Sequence, residues 1–422
     1  MPALARLSAP GILLVAFQSL VSVGDTYFVG RLGTEPLAGL ALVFPLLMLL
    51  QMTSAGAMGG GVSSAIARAL GAGDAPRARR LVVHALVIAA AMAAAFTFLV
   101  LFLGSALYRL LGGLGEVLEQ AVSYSNVVFA GAITVWLANT LSSVLRGTGN
   151  MVVPAVSLIA AALVHLPLSA FLVGRIGIAG AGIAYVTTFG LAGLAMACAV
   201  FRRKSALRPG ASDLKLEARL FGDILRVGAI SVMSSFQTVL TAVILTGFVG
   251  RHGAAALAGY GVGLRLELLQ IPLVFAVGQA LVVLVGTNLG AGQAARARRI
   301  AWTGAGFAAA ISLAIGVAAA LAPHAWVGLF SDDAAVLESG ALYLRSVAPF
   351  YPLLAAGIAL YFASQGAGQV LWPVLAGTAR LLVVLAGGLA VASLQGLFGL
   401  IAGAMALFGL LTIWLIARAD WR

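Results

Sequence analysis

Charge is what this sequence has least of. Only 9% of its 422 residues are Asp, Glu, Lys or Arg, against 62% hydrophobic residues, and mean hydropathy is +1.09. An average soluble domain carries about 25% charged residues, so a soluble globular fold is excluded. There is one cysteine, Cys198, which rules out an intramolecular disulfide framework; lying inside an apolar run, it is expected to pack as a small apolar group. The four histidines stand in no metal-ligand cluster, so a metal enzyme has no support. The glycine pairs Gly71-x-Gly73 and Gly290-x-Gly292 lack the lysine of a phosphate-binding loop, which argues against an ATP-driven pump. No catalytic constellation is present, and neither an enzyme nor a bound cofactor is expected. No Ala-x-Ala-like cleavage site follows the first apolar run, which is therefore expected to be a retained helix.

What the chain has in quantity is apolar length. Runs bounded by Gly, Pro or charge fall at about 9–29, 37–66, 81–107, 117–145, 151–173, 177–201, 221–249, 255–287, 299–322, 334–363, 370–392 and 396–417. Each is long enough for a membrane-spanning helix, whereas a membrane β-barrel would show strands of about ten alternating residues. Twelve spanning helices follow, with Pro10, Pro45, Pro154, Pro167, Pro272, Pro352 and Pro373 as break or kink points.

The net charge of +12 comes from basic residues in short loops, which reads as a topology signal and excludes a nucleic-acid partner. With an inside N-terminus, the inner segments hold Arg77, Arg79 and Arg80, six Lys and Arg between Arg202 and Arg219, and Arg296, Arg298 and Arg299. The outer loops hold only Arg31, Arg109, Arg175 and Arg251, so both termini are expected in the cytoplasm, with the protein multi-pass in a bacterial inner membrane.

The chain repeats itself. Gly71-Ala-Gly-Asp-Ala-Pro-Arg-Ala-Arg-Arg80 returns as Gly290-Ala-Gly-Gln-Ala-Ala-Arg-Ala-Arg-Arg299, and the same offset carries Gly147-x-Gly149 onto Gly366-x-Gly368. Two homologous halves are implied: an N-terminal six-helix lobe at 1–201, a polar linker at 202–219 and a C-terminal six-helix lobe at 220–422. An even number of spans per half makes the repeats parallel, related by a pseudo-twofold axis along the membrane normal, with a substrate site expected between them as in transporters. The linker is expected to act as a hinge or tether.

Intramembrane polar residues nominate the chemistry. Gln18, Ser22 and Asp25 fall on one helical face at spacings of four and three. A charge at the centre of a spanning helix costs roughly 2.5 to 3.5 kcal/mol, so Asp25 is read as the ion-coupling group. The seventh span repeats this seam without its charge through Gln237 and Thr241, which with Asn139 complete the substrate or cavity candidates. Glu267, Arg265 and Arg380 form a possible second ionisable site, with Glu267–Arg380 expected as a structural ion pair. His165 and His84 are expected to be packing or hydrogen-bonded histidines.

The ending Asp25-Thr-x-x-x-Gly-Arg31 of the first helix, Gly33-Thr-Glu-Pro-Leu-Ala38, Arg68-x-Leu-Gly-Ala-Gly73 and Leu145-Arg-Gly-Thr-Gly-Asn150, in this order on twelve spans, resemble the MATE (multidrug and toxic compound extrusion) family. The resemblance implies a secondary antiporter that exports organic, cationic or amphipathic compounds in exchange for H⁺, with Na⁺ as the alternative ion. It also implies alternating access, a monomer in membrane lipid, and a coupling role for Asp25. The sequence departs from the family at Leu166-Pro167, where many members carry Asp-Pro, and at Gln237, where one branch has an acid. A lipid-linked precursor flippase of the same superfamily is the alternative.

Overall fold

A computed structural model of the chain describes residues 14, 17, 20–203 and 205–421; Pro10 and Gln18 lie outside the described residues. Those residues are helical throughout apart from short turns, with no strand among them. After α1 (20–30) come α2 (Thr34–Gln51), a π-helical turn (Met52–Met58), α3 (Gly59–Gly71), α4 (Ala75–Leu110), α5 (Gly115–Ala130), α6 (Ala132–Gly147), α7 (Val152–Ile176) and α8 (Ile178–Phe201). A 3₁₀ turn (Ala211–Leu214) leads to α9 (Ala218–Gly250), α10 (Ala254–Gly290), α11 (Ala294–Leu321), α12 (Pro323–Val327), α13 (Ala334–Val347), α14 (Tyr351–Ala367), α15 (Leu371–Ala390) and α16 (Leu394–Arg418).

Ten of these segments are long and apolar enough to cross a membrane, and α5 with α6 makes an eleventh, bent by 49°. They coincide with the second to twelfth apolar runs, and α1 ends where the first run ends. Large apolar side chains left in the open, such as Phe98, Phe102, Phe171 and Leu194, would be costly in water and are at home against lipid.

The chain packs as two compact units, one running to Val232 and the other from Met233 onward, so the division falls within α9. In the first, Tyr108, Phe129 and Trp136 are fully buried at the centre of an apolar cluster. In the second, Tyr343, Tyr351 and Phe398 take that place.

The repeat is written into the backbone as well as the sequence. Gly73 and Gly292, equivalent positions after α3 and α10, both have positive φ (73° and 72°), a conformation open to glycine at little cost. In both turns the following residue donates back into the helix, Asp74 N to Ala69 O at 2.9 Å and Gln293 N to Asn288 O at 2.8 Å, closing the helix end.

Two features were not expected. The fourth span breaks at Gly131, without proline. The second span carries the π turn, where Thr53 Oγ1 donates to Leu49 O at 2.7 Å and Ser54 Oγ to Leu50 O at 2.7 Å, supplying hydroxyl donors to carbonyls of the preceding turn. Cys198 is a correction: it is exposed on α8 and does not pack inside the fold.

The linker is not a bare tether. Arg79 Nε donates to Asp213 at 3.1 Å and Arg80 to Glu217 at 2.5 Å, while Arg77 reaches past the linker to Asp223 of α9 at 2.6 Å. His84 completes the strap, because Glu217 N donates to its Nε2 at 2.8 Å while Nδ1 lies 2.7 Å from Arg80 O. This fixes the tautomer with the proton on Nδ1. The paired arginines explain why α4 continues six residues before its apolar run begins: Asp74 caps it by accepting from Arg77 N at 2.9 Å, and the basic turn has partners.

Candidate functional site

Asp25 sits on α1 and is 8% exposed. Next to it Gly24 faces Leu166 of α7 so closely that a β-carbon at that position would require the end of the leucine side chain to shift. This close approach brings the carboxylate onto α7. There His165 and Ser169, four residues apart and so on one helical face, both reach it. His165 Nε2 lies 2.9 Å from each carboxylate oxygen, and Ser169 Oγ donates to Oδ1 at 2.6 Å. Both partners are buried.

The other ring nitrogen of His165 is also engaged. Nδ1 lies 3.2 Å from Thr188 Oγ1 on α8, whose hydroxyl is 2.8 Å from Ala184 O one turn back. Tyr124 of α5 and Tyr185 of α8 stand within electrostatic reach of Asp25. Tyr185 carries the polar connection onward: Gln51 Nε2 donates to its hydroxyl at 2.5 Å, and Asn139 Nδ2 donates to Gln51 Oε1 at 3.0 Å and to Ser54 Oγ at 2.8 Å. The π turn thus begins at one end of this connection, setting Gln51 and Ser54 on either side of Asn139.

Of the residues nominated from sequence, Asp25 and Asn139 belong to this polar lining. Ser22 does not join it; it is exposed, and its carbonyl accepts from Thr26. Gln18 lies outside the described residues. His165 is a hydrogen-bonded histidine, as expected, and its partner is the acid itself. Ser169, Thr188, Tyr124, Tyr185 and Gln51 were missed, since a single hydroxyl or amide in an apolar helix carries no signal in the chain alone.

The second unit holds a separate group. Glu267 on α10 is buried and accepts from Tyr343 OH at 3.0 Å, and the ring of Tyr343 meets those of Tyr260 and Phe398, each at 5.3 Å. Arg380 of α15 acts on Glu267 electrostatically, but no direct ion pair within 4 Å joins them among the described residues. Arg265 is exposed and lies over the ring of Phe330 at 5.2 Å, so it does not meet Glu267. Gln237 Nε2 donates to Thr378 Oγ1 at 2.7 Å, tying α9 to α15, and Thr241 is buried one turn on. Among the described residues no group of three or more His, Cys, Asp or Glu is placed to hold a metal ion.

Eleven apolar spans among the described residues, counting the bent pair as one, a backbone-level repeat and a buried acid held by polar side chains of another helix define a polytopic membrane protein of the transporter class. The sequence model of the MatE family matches residues 10–171 and 229–389, one match in each half, and the chain belongs to that family. Its members are transporters of small molecules and not enzymes.

The chain is 26% identical over 367 residues to an FAD transporter from Shewanella oneidensis, covering 86% of this chain and 80% of that protein. It is 25% identical over 381 residues to a probable multidrug resistance protein NorM from Thermotoga maritima, covering 88% and 81%. Among solved structures, a MOP superfamily transporter from Pyrococcus furiosus superposes with a TM-score of 0.91 at 24% identity, over 98% of this chain and 94% of that one.

Proposed function

We propose that the chain is a secondary multidrug antiporter that exports organic, cationic or amphipathic compounds by alternating access in exchange for H⁺, and that Asp25 is the coupling group. The observation that carries this reading is the placement of Asp25: a carboxylate within an apolar span, buried, and held by an imidazole and a hydroxyl from another helix. Ionisable residues inside membrane spans mark ion and proton paths. The relative named as a multidrug resistance protein supports the substrate class. On this reading the protein works as a monomer in the bacterial inner membrane, both termini face the cytoplasm, and the only coupling partner is the ion.

The test is transport in proteoliposomes with pH and Na⁺ gradients imposed independently and ethidium as the cationic cargo. A pH gradient is expected to drive efflux, and Asp25→Asn is expected to abolish it while the protein stays folded. Undiminished coupled efflux in Asp25→Asn would sink the assignment.

A second reading, with an anionic flavin nucleotide as cargo, is favoured by the relative named as an FAD transporter. FAD counterflow in the same vesicles separates the two. The flippase alternative called for a cationic cavity; Arg265 lies over Phe330 and Arg380 acts on Glu267, so the two arginines do not combine into one.

A further inference from the structure

The basic turn that opens α4 has its charges matched, and its repeat at the start of α11 does not. Arg77, Arg79 and Arg80 meet Asp223, Asp213 and Glu217 in turn. Their counterparts by the repeat are Arg296, Arg298 and Arg299, and none of these forms an ion pair among the described residues. Arg296 donates to Gln293 Oε1 at 3.3 Å, and Gln293 stands where the first half has Asp74. An amide has replaced the acid, which leaves the turn wholly cationic.

Arg298 addresses a different helix. Its Nη2 donates to the carbonyl of Ala417 at 2.8 Å, tying the end of α16 to the start of α11 and bringing Arg418, the next residue, to the same corner. The tail beyond holds this arrangement, because Ala419 and Trp421 are buried in the same apolar cluster as Ala297 and Ala301 of α11.

Each of these two arginines has a tryptophan one turn deeper in its span. Trp302 follows Arg298 by four residues and Trp414 precedes Arg418 by four, so each pair shares a helical face. The Arg418 guanidinium lies over the Trp414 ring at 4.1 Å. Trp302 is 36% exposed and Trp414 48%, so neither is there to fill the core. The apolar run of α11 begins, and that of α16 ends, beside the arginines. That places the guanidiniums at the level of the lipid headgroups and the indoles in the interfacial layer, where tryptophan is enriched. Four arginines gathered at one corner repel one another, and Asp420, two residues beyond Arg418, is outnumbered by them. An anion seated among them relieves that repulsion.

We propose that this corner of α11 and α16 is a binding site for an anionic phospholipid. Arg299 and Arg418, which have no hydrogen-bond or ion-pair partner among the described residues, hold its phosphate, and Arg298 adds its charge from the Ala417 carbonyl. The acyl chains run down the apolar spans past Trp302 and Trp414. A guanidinium suits this task because its parallel N–H groups match two phosphate oxygens at once. A zwitterionic lipid brings its own cation to the arginines and gains less. In the first half, Asp213, Glu217 and Asp223 close the equivalent turn to the same ligand. The site is independent of what the transporter carries and of the ion that drives it.

The test is thermal unfolding of the full-length protein in a neutral detergent, titrated with one of three additives. These are dioleoylphosphatidylglycerol, dioleoylphosphatidylcholine and glycerol 3-phosphate, the last offering a phosphate without acyl chains. A ligand that binds the folded state raises the melting temperature in a saturable way. Phosphatidylglycerol is expected to do so, and the other two at equal concentration are not. Arg299→Gln/Arg418→Gln leaves the Arg298–Ala417 bond in place and should raise the half-saturating concentration of phosphatidylglycerol about tenfold or more. Arg202→Gln/Arg203→Gln removes the same charge from exposed residues after α8 and should leave that concentration nearly unchanged. If the first double variant does not accumulate, Arg299→Gln and Arg418→Gln singly are each expected to raise it about fivefold.

Equal stabilisation by phosphatidylcholine overturns the selection for an anion, and equal stabilisation by glycerol 3-phosphate overturns the lipid. Equal losses in the two double variants would reduce the effect to net charge and overturn the site.

Discussion

Ser169 and His165 both address Asp25 Oδ1, and they differ in what their removal leaves behind. Ser169→Ala takes away one donor and one oxygen's volume, so Asp25 keeps its imidazole. Interhelical hydrogen bonds in membranes average about 0.6 kcal/mol, and a small drop in melting temperature is expected, with pH-driven ethidium efflux reduced but present. Gly24→Val touches no polar atom, but its branched side chain displaces the end of Leu166 at the α1–α7 contact. Because that side chain can yield, coupled efflux is expected to fall less than in Asp25→Asn, with the folded yield largely kept. Cys198→Ala should change stability by less than about 0.5 kcal/mol by thermal melting, since the thiol is exposed. Asp25 was legible in the sequence because a carboxylate in an apolar run stands out on cost alone. His165 was not, since its meaning depends on a partner 140 residues away. The fold, by contrast, was legible almost span by span, because membrane length imposes itself on every apolar run.

At the scale of elements, the linker carries contacts that composition does not announce. A polar, basic stretch between two lobes reads as a hinge or tether, and its two acids, Asp213 and Glu217, are each matched to an arginine of α4. The Asp213 carboxyl is held below the ordinary carboxylate range, first by the Gly210 N–H at 2.9 Å and then by Arg79. A depressed folded-state value means that this contribution is full above the ordinary aspartate pKa of about 3.9 and is lost as pH falls through the depressed value. The linker is therefore expected to stay docked at neutral pH and to come away in strong acid. Hydrogen exchange of residues 205–217 would show this as protection lost below about pH 4, and Asp213→Asn should weaken the protection at pH 7 without changing that of α7 or α8. The π turn was illegible for a different reason. Thr53 and Ser54 are common in membrane helices, and only their bonds to Leu49 and Leu50 distinguish a widened turn from an ordinary one.

At the scale of the whole molecule, the halves share turns but not charges. Asp74, which caps α4, is answered by Gln293, which makes no side-chain cap, and Arg296, Arg298 and Arg299 meet no acid among the described ion pairs. On the positive-inside rule the basic turns are expected to face the cytoplasm, the orientation proposed above. Alkaline phosphatase fused after Arg418 is accordingly expected to be inactive in cells, and the same enzyme inserted at Asp332 active; the reverse pattern would invert the topology. The pairing of α4 with the linker and the start of α9 also has an order in time. Arg77, Arg79 and Arg80 leave the ribosome 134 to 146 residues before their partners. At about 5–20 residues per second that is a delay of roughly 7 to 30 seconds. During that interval the three cations lack these acidic partners and, on the proposed topology, are expected to act on membrane insertion with their charge unpaired. Their acids follow only after the sixth apolar run, so one cluster would first help to orient the nascent chain and afterwards clasp the finished lobe.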